Sequence, residues 1–429
     1  MSCHCPALLV TAPASGQGKT TVTAALAYHY RQQGLDVRVF KTGPDFLDPK
    51  ILQFASGNPV YQLDLWMVGE EQSKQLLYKT ACEADLILIE GVMGLFDGSP
   101  STADLARLFN IPILAVIDAA GMAGTFAAVA HGLTSYQGDL QFAGVLANNT
   151  GSSNHASMLC NSLPATIPWY GALNRDEHIS LGHRHLGLLQ VDEITDIDER
   201  LQRASQMLKD SGLDKMPDEV CFAEIPMQNI EPLLKGIRIG MARDSAFSFY
   251  YQANIDLLTQ MGADIIYFSP VADTQLPDVD SLYLPGGYPE HHLEALENNI
   301  AMKQAIDRHV SENKPLVAEC GGLLYLLESL TDAEGHRAQM TGILPGHAQL
   351  HKKLVNLSMQ SMPHEQGNIR GHSFHYSSMD TSLSPALSTE ARGKFGKAEA
   401  IYSRNKLIAS YMHLYMPSSP LATAALFTP

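Results

Sequence analysis

Basic residues are scarce in this chain: 29 lysines and arginines stand against 45 aspartates and glutamates, a formal charge of -16. Nucleic-acid phosphates need basic surface, so this balance argues against a nucleic-acid partner. Long apolar runs are missing too. No stretch approaches the ~18 residues of a membrane span. The first residues also lack the basic-then-apolar pattern of a signal peptide. A cytoplasmic protein without a membrane partner is the expectation. Cysteines are few, six in 429 residues, and unevenly spaced, which excludes a small disulfide scaffold. Cys3-His4-Cys5 has the wrong spacing for a zinc knuckle and no second half nearby; a frayed N-terminus is the simpler expectation. Internal repeats and low-complexity segments are absent.

What is present is a globular composition, 45% hydrophobic and 17% charged, in a chain long enough for two or three cores. Short apolar runs at 7–11, 37–40, 86–89, 113–117 and 143–146 read as strands. Helical periodicity at 20–33, 104–109 and 121–132 lies between them. Strands alternating with helices predict a parallel, doubly wound sheet. Charged, helix-spaced sequence with no strong strand follows at 192–218, then Pro226, Pro232 and Gly236. The alternation resumes with strands at 237–241, 265–268, 282–284 and 316–318 and helices at 249–261 and 293–310. The expectation is an α/β chain of two doubly wound domains, 1–190 and 236–429, with a partly helical linker at 191–235.

The first strand runs into Ala-Pro-Ala-Ser-Gly-Gln-Gly-Lys-Thr-Thr, ending at Thr21. Glycines let successive N–H groups face one phosphate; Lys19 adds a point charge, and the Thr20 hydroxyl can ligate Mg²⁺. Pro13 stands where the full phosphate-loop pattern wants glycine, so the match is to the G-K-T-T core, supported by the strand-loop-helix order. The expected ATP contacts are Ser15, Gly16, Gln17, Gly18, Lys19, Thr20 and Thr21. ATP with Mg²⁺ also needs carboxylates. Asp45 and Asp48 follow the second strand, Glu90 closes the apolar run 86–89, and Asp97 lies in G-L-F-D-G. Loops at the carboxyl ends of parallel strands converge on the ligand crevice. Thr20, Asp45 and Glu90 are the expected metal ligands, with Lys41, Asp48 and Asp97 toward the substrate. The plainer role for Asp45 or Asp97 is to shape a turn.

In the second half, an apolar strand, Cys320-Gly321-Gly322 and an apolar helix follow one another. A sharp strand-to-helix turn pushes its central residue outward and needs small neighbours. The helix N-terminus is expected to lower the thiol pKa. Cys320 therefore reads as a nucleophile rather than as core filling. Gly286 and Gly287, in L-P-G-G-Y-P-E, offer N–H groups that could join Gly321 in an oxyanion hole. A histidine must serve as base. Among 17 histidines, His413 is preferred because it follows a late strand-like run; His372 and His375 compete.

G-Q-G-K-T-T, K-T-G-P-D-F-L-D-P, L-I-E-G-V-M-G-L-F-D-G, R-H-L-G-L-L (184–189), P-G-G-Y-P-E, A-E-C-G-G-L-L-Y-L and S-Y-M-H-L occur in this order. Together they resemble the cobyrinate a,c-diamide synthase family over nearly the whole chain. The resemblance implies a P-loop NTPase-like domain of the dethiobiotin-synthetase type, followed by a flavodoxin-like class I glutamine amidotransferase domain. It implies that ATP and Mg²⁺ serve to phosphorylate the a and c acetate carboxylates of a corrinoid acid. L-glutamine hydrolysed at Cys320 would supply ammonia, in cobalamin biosynthesis. A homodimer is an assembly it allows.

Two departures stand out. Ser373 replaces the glutamate of the family's G-H-E-F-H-Y-S, and Tyr415 replaces the second histidine of Y-x-H-x-H. Tyr415 also occupies the place where many amidotransferases carry the third catalytic residue, a glutamate. A Cys320–His413 dyad, oriented by some other group, is the expectation. Alternatives are the same chemistry on hydrogenobyrinate or nickel-sirohydrochlorin, or a non-catalytic, nucleotide-switched binding protein with an inactive amidotransferase domain.

Overall fold

The strand Leu86–Glu90 is buried at every position, as happens when both faces of a parallel sheet are covered. The computed structural model describes residues 1–179, 183–184, 187–188, 194–209, 211–226, 229–393 and 396–429. Its first sheet contains β1 (Ser2–Thr11), β2 (Val37–Lys41), β3 (Tyr61–Gln62), β4 (Leu86–Glu90), β5 (Ile113–Asp118), β6 (Phe142–Thr150) and β7 (Trp169–Asn174). Their order is β3-β2-β4-β1-β5-β6-β7, and each neighbouring pair is parallel.

Alternation along each strand builds two cores. Leu86 and Leu88 join Leu114 and Val116 on one face. Ile87 and Ile89 join Ile113, Ala115 and Ile117 on the other. Each such side chain contributes about 1.5–3 kcal/mol on burial, and a one-residue slip would exchange the faces. The helix Lys19–Gln32 covers the first face. The helix Thr102–Phe109, opened by a Ser101–Asp104 capping box, covers the second.

The stretch expected to be a linker belongs largely to this unit, which ends at residue 227. Its helix Ile197–Leu208 buries Ile197, Leu201, Ala204 and Leu208 in the same core as the Lys19–Gln32 helix. The charges between these residues hid a stripe at helical spacing. A strand, Glu219–Ala223, pairs antiparallel with Ser2–Pro6, so the N-terminus is not frayed. Cys3 within it is disulfide-bonded to Cys82. Among the described residues no group of three or more His, Cys, Asp or Glu is arranged for a metal. The motif at 184–189 lies largely outside the described residues.

Residues 228–429 form the second unit. Its central sheet runs Asp264–Phe268, Arg238–Ala242, Ser281–Leu284, Leu316–Glu319, Leu407–Ser410, then Ala400–Arg404 and Leu387–Ser388. The first five are parallel and in chain order read 2-1-3-4-5, the flavodoxin-like arrangement. The helix expected at 293–310 is two helices, Leu293–Asn298 and Ile300–Ser311. Asn299 restarts the second by accepting a hydrogen bond from the Met302 amide. A small antiparallel sheet pairs Asn356–Met362 with Ile369–His375, and Ile369–His375 with His413–Tyr415. It sets His372 directly opposite His413.

Candidate active sites

The turn from β1 into the Lys19–Gln32 helix frames a cavity of about 400 Å³. Ser15, Gly16, Gly18, Lys19, Thr20, Thr21, Lys41, Asp45, Asp48 and Glu90 line it. Gly18 has φ +94, and a Cβ there would collide with the Asn148 amide; only glycine lets the backbone pass. Lys19 Nζ donates to the carbonyls of Met93 (2.7 Å) and Ala14 (3.2 Å). Burial lowers its pKa, with Glu90 acting against that shift.

Deeper in the cavity, Thr20 Oγ1 donates to Glu90 Oε1 at 2.7 Å. Lys41 Nζ donates to the same oxygen at 2.8 Å and to Asp48 Oδ2 at 2.7 Å. Lys41 is 3% exposed and Glu90 fully buried. Burial pushes the Glu90 carboxyl up, with Lys41 opposing. Burial acts on Asp48 the same way, yet Lys41 holds its carboxyl below the usual range. Asp45, 3.9 Å from Lys41, is pushed up by burial and by Asp48. Lys41 and Asp48 pair with each other in the cavity wall, because a buried carboxylate needs a cation.

Glu90 Oε2 is buried and makes no hydrogen bond among the described residues. A Mg²⁺ ion takes one or two carboxylates plus phosphate oxygens and water. Thr20, Glu90 and Asp45 fit that role. Gln17 and Asp97 stand outside the cavity lining. Gln17 Oε1 accepts from the Asp118 amide, and Asp97 Oδ2 accepts from the Gly94 amide at 2.9 Å, which shapes a turn. Met93, Asn148, Asn149 and Asp176 line the cavity and were not expected. The polar Asn148-Asn149 at the carboxyl end of β6 was the signal that could have found two of them.

In the second unit, Cys320 follows the central strand Leu316–Glu319 with φ 44 and ψ -105. That conformation is strained for a side-chain-bearing residue and marks the elbow. Its amide donates to the Ser410 carbonyl at 2.8 Å, which places Cys320 beside the segment leading to His413. A Cβ on Gly286 would collide with His413 Cε1 and lie 3.0 Å from Nδ1. One on Gly287 would strike the Ala246 carbonyl. One on Gly321 would stand 2.9 Å from the Gly287 amide nitrogen. Three glycines are therefore required by close approach, and the Gly287 N–H lies next to the nucleophile turn.

The histidines separate by their partners. His375 is committed: Nε2 lies 3.0 Å from Glu399 Oε1 and Nδ1 2.8 Å from the Ser377 carbonyl. His372 Nδ1 shares a 2.8 Å hydrogen bond with the Tyr251 hydroxyl, and burial lowers its pKa to about 3. Its ring stacks on His413 at 5.0 Å. Burial, then His372 and His375, drive His413 well below the usual imidazole range, leaving a neutral base. For Cys320, burial and then Glu290 push the thiol up. The expected lowering by the helix N-terminus is reversed, because the following helix has only six residues and the thiol is buried. Tyr415 packs edge-on against Tyr251. Ser373 is buried, and its hydroxyl makes no hydrogen bond among the described residues.

Residues 8–188 match the CobQ/CobB/MinD/ParA nucleotide binding domain, and 238–420 match the CobB/CobQ-like glutamine amidotransferase domain. The chain is 57% identical to the hydrogenobyrinate a,c-diamide synthase of Stutzerimonas stutzeri, covering 99% of both chains. It is 53% identical to the protein of that name from Pseudomonas aeruginosa, covering 99% of this chain and 98% of the other. It is 44% identical to the cobyrinate a,c-diamide synthase of Herminiimonas arsenicoxydans, covering 98% of this chain and 96% of the other.

Proposed function

The chain belongs to the cobyrinate a,c-diamide synthase family, and from that premise we propose that it converts the a and c acetate carboxylates of a cobyrinate-type acid to amides, using ATP and glutamine. The observation that carries this reading is the pairing of two sites in one chain. One is a phosphate-loop cavity floored by Lys41, Asp48 and Glu90; the other is a strained Cys320 elbow hydrogen-bonded to Ser410, on the segment that leads to a neutral His413.

A carboxylate is a poor electrophile. Its oxygen attacks the γ-phosphorus of ATP, the bond to ADP breaks, and an acyl phosphate forms. Lys19 and the loop amides hold the phosphates in place. Bound Mg²⁺, held by Thr20, Glu90 and Asp45, would neutralise phosphate charge.

At the second site His413 takes the Cys320 proton as sulfur bonds to the glutamine side-chain carbonyl carbon. The Gly287 and Gly321 amides face the oxyanion. The C–N bond breaks, His413 returns the proton to the leaving ammonia, and water cleaves the thioester to glutamate. Ammonia then bonds to the acyl-phosphate carbon and phosphate leaves.

The hydrogenobyrinate reading has its own support, since the relatives at 57% and 53% identity carry that name. Mass spectrometry of the product from cobyrinate, hydrogenobyrinate and nickel-sirohydrochlorin, each with ATP, Mg²⁺ and glutamine, decides between them. Two amides gained on one acid, with ADP and glutamate released in step, is the expected result. No amide on any of them defeats the proposal.

A further inference from the structure

The strand leading into the nucleophile ends in a carboxylate, Glu319, that is 2% exposed. Alternation sends its side chain to the face that Val317 shares with Tyr283, Met412 and Leu414, opposite to Ala318. A lone carboxylate in such a place is costly unless paired. Among the described residues no lysine or arginine lies within ion-pair distance of it. The titratable group that faces it is His413, with Glu319 Oε2 3.7 Å from Nδ1. Glu319 Oε1 makes no hydrogen bond among the described residues. The His413 ring is already fixed on one face by His372 and at one edge by Gly286.

We infer that Glu319 is the positioning carboxylate of the glutaminase site, holding the Nδ1 edge of His413 so that Nε2 is turned to the Cys320 thiol. It takes the role that a glutamate two residues after the histidine would have, where this chain carries Tyr415. A movement of under about 1 Å brings the pair to charge-assisted hydrogen-bond distance. When the thiol proton reaches Nε2, an imidazolium forms in a buried setting next to His372 and His375, which both disfavour it. A carboxylate at Nδ1 offsets that charge, and the low local dielectric strengthens the effect. Burial raises the Glu319 carboxyl to about 8, with the Leu414 amide and Tyr283 hydroxyl opposing. The test separates this role from a purely structural tie through those two groups.

The inference rests on the glutaminase reading above. The full chain is assayed for glutamine hydrolysis as wild type, Glu319→Gln, His413→Ala and the double variant. Expected for Glu319→Gln is a fall in kcat of at least about ten-fold with KM within about two-fold, and no further loss in the His413→Ala background. Glu319→Asp, which keeps the charge one methylene further away, should fall between wild type and Glu319→Gln. It also carries the same comparison should the glutamine variant not fold. An unchanged kcat, a loss confined to KM, or an equal loss with and without His413 overturns the inference. A wild-type chain that hydrolyses no glutamine instead overturns the glutaminase reading itself.

Discussion

Thr20 and Glu90 are joined by a 2.7 Å hydrogen bond across 70 residues of sequence. The bond ties the start of the phosphate-loop helix to the end of strand β4. In the proposed reading, this hydroxyl and carboxylate are two of the groups that hold the nucleotide's Mg²⁺. Thr20→Ala should raise the Mg²⁺ concentration for half-maximal amidation by about ten-fold. A Mg²⁺ titration at saturating ATP checks this, and an unchanged titration removes Thr20 from the metal site.

Lys41→Met should destabilise the first unit by about 3–5 kcal/mol, because Asp48 and Glu90 lose their buried cation. Urea unfolding measures it. The Lys41 pKa is raised: burial works to lower it, and the three carboxylates outweigh that. Its contribution is therefore fully present below the ordinary lysine range, and the loss should be the same at neutral and mildly alkaline pH. Asp48 is held low, so its share is present above the ordinary carboxylate range and fades as pH falls through the depressed value. A variant as stable as wild type contradicts the pairing.

Cys320→Ala should abolish glutamine-dependent amidation while added ammonium restores it. Lys19→Ala should remove synthesis with either nitrogen source, yet leave part of the basal glutamine hydrolysis. Loss of both activities in both variants would falsify the assignment of one reaction to each unit.

Gly286→Ala should cost about 10²-fold or more in glutaminase kcat, since its Cβ collides with the His413 ring and a displaced base forfeits orientation. Ammonium-supported amidation should persist. Steady-state kinetics with each nitrogen source reads the difference, and a fully active variant shows that the ring is not held there.

Burial raises the Cys320 thiol pKa, so little thiolate exists before substrate binds. Its alkylation by iodoacetamide should be slower than that of a small free thiol and should still be climbing at alkaline pH. A plateau below about pH 8, near the ordinary cysteine range, would show that the resting thiol is activated.

Much of this site was legible in the sequence because it depends on local rules. Glu90 and Cys320 each stand at a strand end followed by glycine, and Lys19 and Thr20 open the helix after a glycine-containing loop; that geometry is written in consecutive residues. The charged 191–235 stretch was misread because burial follows the apolar stripe of the Ile197–Leu208 helix, not its net charge. The acidity of Cys320 was misread because a helix N-terminus is visible in sequence and burial is not.

By itself, then, the sequence determined two mainly parallel α/β units, a glycine-rich loop before the first helix and a Cys-Gly-Gly turn, since short continuous apolar runs and glycine turns are local. The tertiary structure alone decided which groups meet. Lys41 neutralises Asp48 and Glu90, His375 is occupied by Glu399, and Glu319 comes within 3.7 Å of His413. These partners lie 7 to 94 residues apart, and only the register of neighbouring strands and the exclusion of water bring them together.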